Sequence, residues 1–294
     1  DLNISEDSRI FRENFEFYNE NQLSKDMLEY IKKGKDLKKE MELKPTKIKA
    51  IQNTTNEIIN FNSDWYFTLE KNNNIKEIEK VTLPHDFSIH QDYSPECEAQ
   101  SGYKPAGKGI YTKTFNLGPE YKDKNIRIDF DGAYMNTTVY VNEQKLGFNP
   151  YGYNPFSFDI TNYVFFDKEN TIKVEVNHKV FSSRWYSGSG IYRDVHLRIS
   201  DKLYIDLNGI NIFTPNLEKE IQDEVSIDTV TNIKNDINEV VNFNLVYQIY
   251  KDNILINEKS QKGQIDKNSI KLINLNLRLK NIFNCSAVLL VFIS

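Results

Sequence analysis

The chain has 294 residues, 37 Lys and Arg against 42 Asp and Glu, and a net charge of −5. It is 39% hydrophobic and 27% charged, which excludes a fully disordered chain and gives no cationic field for nucleic acid. Cys97 and Cys285 are the only cysteines, so neither a disulfide framework nor a Cys-based zinc site is available. The longest strongly apolar run, Ala287 to Ile293, is too short to span a bilayer.

Residues 1 to 58 carry Lys/Glu runs and almost no glycine. Ser24 can cap a helix through Met27, Leu28 and Ile31, with Gly34 as a break, so this stretch reads as a polar, partly helical extension. Residue 1 is Asp, which reads as a trimmed chain. No basic segment followed by an apolar one marks a leader, and both the bacterial cytoplasm and secretion stay open.

After Asn60 the pattern changes. Ten of the 12 glycines fall between Gly102 and Gly209, and apolar alternation with regular turns takes over. Ile110 to Phe115, Ile126 to Phe130, Thr138 to Val141, Ile172 to Val176 and Asp194 to Ile199 each read as strands. Asp131-Gly132 and Asn142-Glu143 read as turns. Many short strands without intervening helices predict a β-sandwich, jelly roll or Greek key, over 59–202. A second series follows over 203–294: Tyr204 to Phe213, Val225 to Val230, Val240 to Tyr250, Ile254 to Ile256 and Ile270 to Leu279. Its length suits an immunoglobulin-like sandwich without the Cys…Trp…Cys pattern. The last segment, Asn284 to Ile293, lacks polar alternation, which reads as a buried strand or as a second sandwich incomplete at its C-terminus.

The segment Ser183 to Arg193 concentrates chemistry. Gly188 and Gly190 permit tight turns, Arg184 offers a planar fork of donors, and Trp185 and Tyr186 offer flat faces for a pyranose ring. The same groups also make good anchors against a neighbouring domain. Asp86, after Pro84-His85, either braces its loop by accepting backbone N–H bonds or touches a sugar. Tyr151-Gly-Tyr153 is an aromatic turn, a loop plug or a carbohydrate platform. Trp65 reads as core. His85, His90, His178 and His196 read as surface or structural, and no Ser/His/Asp nucleophile set or phosphate-cradling loop is arguable.

Several strings in order carry a family resemblance: Phe61 to Phe67, Leu83-Pro-His-Asp-Phe-Ser-Ile89, Ser94 to Tyr103, Gly107 to Tyr111, Phe130-Asp-Gly-Ala133, Tyr151 to Phe156, and above all Ser183-Arg-Trp-Tyr-Ser-Gly-Ser-Gly-Ile-Tyr-Arg-Asp-Val195. Together they resemble the N-terminal part of glycoside hydrolase family 2 enzymes of the β-galactosidase branch. The resemblance implies an all-β chain: a jelly-roll sugar-binding domain, then an immunoglobulin-like sandwich. A (β/α)₈ barrel with two catalytic glutamates for a retaining mechanism is expected next. No barrel is expected within 294 residues, so no carboxylate here is assigned a catalytic role and no cofactor or metal is called for. Asp86, Asn177, Arg184, Trp185 and Tyr186 are then candidates for the edge of a β-galactoside-type sugar pocket, and Tyr192 and Arg193 for the contact with the catalytic barrel. Val176-Asn177-His178 stands where the family tends to read Val-Asp-Asn before a longer loop. No closing Pro-Leu-Trp signal follows Leu279, which supports a truncated or frame-shifted end. Two alternatives accompany this expectation: a stand-alone carbohydrate-binding or adhesion module, and a family member of β-glucuronidase or β-mannosidase type.

Overall fold

In the computed structural model the described residues are 57–71, 74–75, 78–180, 182–215, 224–251, 254–280 and 287–293. The expected helix after Ser24 lies outside them. All longer elements among them are strands, and every ladder is antiparallel.

The first sandwich has a four-stranded sheet and a seven-stranded one. The four-stranded sheet holds β1 (Glu57–Asn60), β6 (Asn125–Phe130), β9 (Phe156–Asp159) and β11 (Val195–Ser200), ordered β1-β11-β6-β9. The larger sheet holds β2 (Trp65–Lys71), β3 (Asn74–Ile75), β4 (Glu79–Val81), β5 (Gly107–Phe115), β7 (Thr137–Val141), β8 (Gln144–Asn149) and β10 (Asn170–His178). Its order is β3-β2-β5-β10-β7-β8, and β4 also pairs with β2.

Strand alternation builds the space between the sheets. On β10, Ile172, Val174 and Val176 are fully buried while Lys173 and Glu175 point away and pair with each other. Ile126, Ile128 and Phe130 of β6 and Val195, Leu197 and Ile199 of β11 meet them in one continuous apolar cluster. Trp65 sits inside it with no exposed surface, and its indole N–H donates to the Phe61 carbonyl at 2.8 Å. The β7–β8 hairpin turns on Asn142 and Glu143, both at positive φ (48° and 67°), as a two-residue primed turn requires. The Asn142 side chain pins the turn by donating to the Tyr163 carbonyl and accepting the Thr171 N–H.

One strand reverses the simple pattern. Tyr111, Lys113 and Phe115 of β5 are buried, whereas Ile110 is only partly covered. The Lys113 ammonium donates to the carbonyls of Phe61 and Ser63, at 3.2 and 2.7 Å, and lies 3.9 Å above the Phe61 ring. Burial pushes its pKa down. A charged group is tolerated on the core face because backbone oxygens that would otherwise lack partners receive its protons.

The second sandwich faces β12 (Leu203–Phe213), β13 (Glu224–Asn235) and β16 (Ser269–Lys280) against β14 (Val241–Lys251), β15 (Ile254–Ile265) and β17 (Ala287–Ile293). The orders are β12-β13-β16 and β15-β14-β17. Its core gathers Ile233, Leu245, Tyr247, Ile249, Leu277 and Ile293. Only Asp201 and Lys202 separate β11 from β12. Asn125 Nδ2 and the Tyr204 hydroxyl both donate to Asp236 Oδ2, at 2.9 and 3.0 Å, and Lys124 pairs with Asp201.

Trp65→Ala opens a cavity in the first core, and a loss of about 3–5 kcal/mol is expected. Urea unfolding followed by tyrosine fluorescence would show the midpoint falling; a midpoint within error of the unsubstituted protein would contradict this account of the core.

Candidate functional site

Three connections converge at one end of the first sandwich: residues 82–91 after β4, residues 150–155 after β8, and residues 182–194 after β10. Backbone bonds zip the first to the third. The N–H of His85 donates to the Ile191 carbonyl and that of Phe87 to the Ser189 carbonyl, at 2.8 and 2.9 Å. Tyr134 and Gly190 exchange both of their backbone bonds, at 2.9 and 3.0 Å. Gly190 has φ +110°, and a Cβ there would lie 2.3 Å from the Tyr111 hydroxyl and 2.7 Å from the His85 carbonyl. No other residue fits that crossing.

Asp86 closes the zipper. Its Oδ1 accepts the N–H groups of Ser88 and Ser189, both at 2.9 Å, and its Oδ2 accepts the Tyr186 hydroxyl at 2.7 Å. The carboxylate therefore braces two loops a hundred residues apart in sequence. Burial, and then the Asp86 charge beside it, hold the Tyr186 phenol in its protonated form well above its ordinary range.

Behind Asp86 runs a buried chain of hydroxyls and one imidazole, which sequence reasoning did not assemble. The single hydroxyl proton of Ser88 goes to the Pro105 carbonyl, 2.6 Å away. The 2.5 Å contact between Ser88 and Ser189 must then be donated by Ser189. Ser189 is left to accept from His178 Nδ1, also at 2.5 Å. Burial lowers the His178 pKa, so the ring is neutral and its Nε2 accepts from Ser182 at 3.1 Å. Ser182 in turn accepts from the Tyr134 phenol at 3.1 Å. Five bonds thus run in one direction and fix the Nδ1–H tautomer. Ser88 and Ser189 are buried, at 2% and 0% exposure, so the pairing of serine with histidine holds loops and offers no nucleophile to a substrate. The signal for His178 was present in the sequence: it continues the inward parity of Ile172, Val174 and Val176.

In front of Asp86 the aromatic groups meet solvent. Trp185 is 58% exposed, and its indole N–H donates to the Tyr153 hydroxyl at 2.8 Å. Tyr153 in turn packs against Tyr134 and Tyr151, with ring centroids 5.2 and 5.6 Å away. The structure thus brings Trp185 together with the aromatic turn, and Tyr186 with Asp86. Arg184 is exposed, and its guanidinium makes no ion pair among the described residues. Asn177 is half-buried on the strand face opposite His178. Its backbone N–H donates to the Met135 carbonyl and its own carbonyl accepts from Asn136. Tyr192 and Arg193 line a separate groove of about 330 Å³ with Pro84, Asp131, Pro155 and Asp194. The Tyr192 hydroxyl donates to the Gly152 carbonyl, and the Arg193 guanidinium lies 5.5 Å over the Tyr192 ring.

Residues 58–200 match the family described as glycosyl hydrolases family 2, sugar binding domain. The first sandwich belongs to that family. A β-galactosidase of Bacteroides ovatus is 36% identical over 191 residues, covering 62% of this chain and 22% of the relative. A putative β-glucuronidase of Formosa agariphila is 37% identical over 179 residues, covering 58% of this chain and 17% of the relative. The chain spans about a fifth of the length of these curated relatives. A family 2 member from Bacteroides cellulosilyticus superposes with a TM-score of 0.68 at 29% identity, covering 76% of this chain and 30% of that structure.

Two outcomes follow from the loop geometry. Gly190→Ala should cost about 2–4 kcal/mol, because both the positive φ and the backbone contact oppose a side chain; denaturation midpoints measure it. His178 and His85 are both held neutral, chiefly by burial. Their folded pKa values lie below the ordinary imidazole value of about 6.5, so only the unfolded chain gains these protons just below that pH. Stability is therefore expected to be flat with respect to these groups above about pH 7 and to fall as the pH drops through about 6.5 and below. His178→Asn should lower stability overall and flatten part of that slope in thermal melts taken across the range.

Proposed function

We propose that this chain is the non-catalytic N-terminal part of a retaining glycoside hydrolase acting on β-galactosides. The two modules are taken as residues 59–202 and 203–294. On this reading the loop end of the first sandwich edges the sugar pocket of a catalytic barrel. The observation that carries it is the exposed Trp185 ring, locked from behind by Tyr153 and flanked by the Asp86–Tyr186 pair. A flat ring held at a fixed angle meets the C–H face of a pyranose without losing side-chain freedom on binding. Arg184, beside it, is exposed and would donate to hydroxyls. Asn177 has its side chain on the outer strand face and contributes to the edge only through the neighbouring turn. Tyr192 and Arg193, with their groove, form the contact with the barrel. Asp86 acts by bracing, since three donors already occupy its oxygens.

A uronide is the second reading. Its support is the guanidinium of Arg184, which makes no ion pair among the described residues and is the group a sugar carboxylate would engage bidentately.

The isolated chain should release no nitrophenol from nitrophenyl β-galactoside or β-glucuronide above buffer; turnover by pure protein would refute the non-catalytic assignment. Calorimetry separates the remaining readings. Galactoside binding weaker than about millimolar fits a pocket edge that needs its barrel. Tighter binding, lost in Trp185→Ala, would make the chain a carbohydrate-binding module in its own right. Glucuronate binding lost in Arg184→Ala would favour the uronide.

A further inference from the structure

A second cavity lies between the β2–β4 hairpin and residues 85–91, and none of the sugar-edge candidates above lines it. It holds about 340 Å³. Phe67, Leu69 and Phe87 supply an apolar floor, and Glu79, His85, His90 and Gln91 supply polar groups. The volume sits at the small end of the range of about 300–1,000 Å³ typical of ligand sites, so it suits one ring and not a chain of rings.

The Tyr111 hydroxyl is deeply buried, and burial keeps it protonated. It lies 2.9 Å from His85 Nδ1 and donates to the His85 carbonyl at 3.4 Å, so which of the hydroxyl and Nδ1 donates to the other depends on the imidazole tautomer. Burial lowers the His85 pKa, so the ring is neutral and its Nε2 either donates or accepts one hydrogen bond. That Nε2 has no protein partner among the described residues. The His90 ring stacks on His85 at 5.6 Å and 14°, which holds the imidazole plane. Gln91 spends one amide N–H on the Phe87 carbonyl at 3.3 Å and keeps its oxygen. Glu79 supplies the only carboxylate of the lining.

The site thus offers the imidazole nitrogens of His85 and His90, the Gln91 oxygen, the Glu79 carboxylate and an apolar floor. An anion is opposed by Glu79, and a purely apolar ring leaves these four polar groups unanswered. A neutral hydroxylated ring suits them, since a hydroxyl both donates and accepts: one pairs with His85 Nε2, others donate to Glu79 and Gln91, and the C–H face rests on Phe87 and Leu69. We propose that this cavity is a separate binding site for a single neutral pyranose, distinct from the loop surface around Trp185. It does not rest on the sugar-edge reading of that surface.

The test is an NMR titration of the full chain with methyl β-galactoside, methyl β-glucoside and glucuronate, with the ring resonances of His85 and His90 as readout. Either neutral glycoside should shift both rings saturably, with a dissociation constant in the millimolar range, while glucuronate should not. Glu79→Gln, an exposed and conservative change, should weaken binding tenfold or more. Trp185→Ala should leave these shifts unchanged even if it abolishes binding at the loop surface. No shift of either ring at saturating glycoside overturns the proposal. So does binding that is indifferent to Glu79→Gln or lost in Trp185→Ala, whatever the fate of the sugar-edge reading.

Discussion

Asp86 accepts three hydrogen bonds from two loops a hundred residues apart, and the loop end of the first sandwich depends on that closure. A carboxylate with N–H and O–H donors on both oxygens is among the stronger anchors available to a loop, because each bond is charge-assisted. It sets where Ser189 lies, and Ser189 sets the direction of the proton chain through His178. It also sets where the Tyr186 ring stands. The crossing at Gly190 lets the two backbones approach closely enough for one side chain to bridge them. Removing the carboxylate would leave two backbone N–H groups and a phenol without their acceptor, a cost larger than the net worth of the bonds themselves.

This loop end is stiff behind and open in front. Behind it, five aligned hydrogen bonds and the edge-on contact of Tyr134 with His178 leave no polar atom of the chain unused. In front, Trp185 keeps more than half its surface in solvent although its one polar atom is satisfied by Tyr153. An aromatic ring exposed for want of packing would be expected to be loosely held. Trp185 is both exposed and fixed by its own N–H, so the angle of the ring is set although more than half of its surface is bare.

The strands were legible because alternation is a local property: Ile172, Val174 and Val176 declare β10 without reference to anything else. The same parity would have placed His178 inward, but a histidine at a strand end reads equally well as solvated until its partners are known. Its partners Ser189 and Ser182, with Ser88 and Tyr134 one bond further on, come from three segments that only the fold assembles. Trp185 and Tyr153 are likewise 32 positions apart, and nothing in either motif predicts their bond. Lys113 shows the opposite failure. Hydrophobicity would turn it outward, yet carbonyls of the β1–β2 connection draw it into the core. On β17 Leu289, Val291 and Ile293 face the sandwich core, while Leu290 and Phe292, on the other side beside Gln248 and Val246, are only partly exposed.

The junction of the two sandwiches shows why a two-residue connection suffices. A connection that short transmits torsion, but it does not fix an angle unless groups on both sides are tied together. Asp236 does the tying: Asn125 of β6 reaches it from the first sandwich, Tyr204 and Lys234 reach it from β12 and β13 of the second, and its backbone N–H donates to the Lys202 carbonyl in the connection itself. Arg127 of β6 adds a longer contact to Asp206 at 3.8 Å. Every one of these bonds involves a charged or amide group, and Asn125 and Tyr204 make theirs from buried positions. Polar contacts of this kind lose strength when misaligned by a fraction of an ångström, whereas apolar ones slide. The joint therefore favours one orientation over its neighbours, and the loop end bearing Trp185 is held in register with the second sandwich.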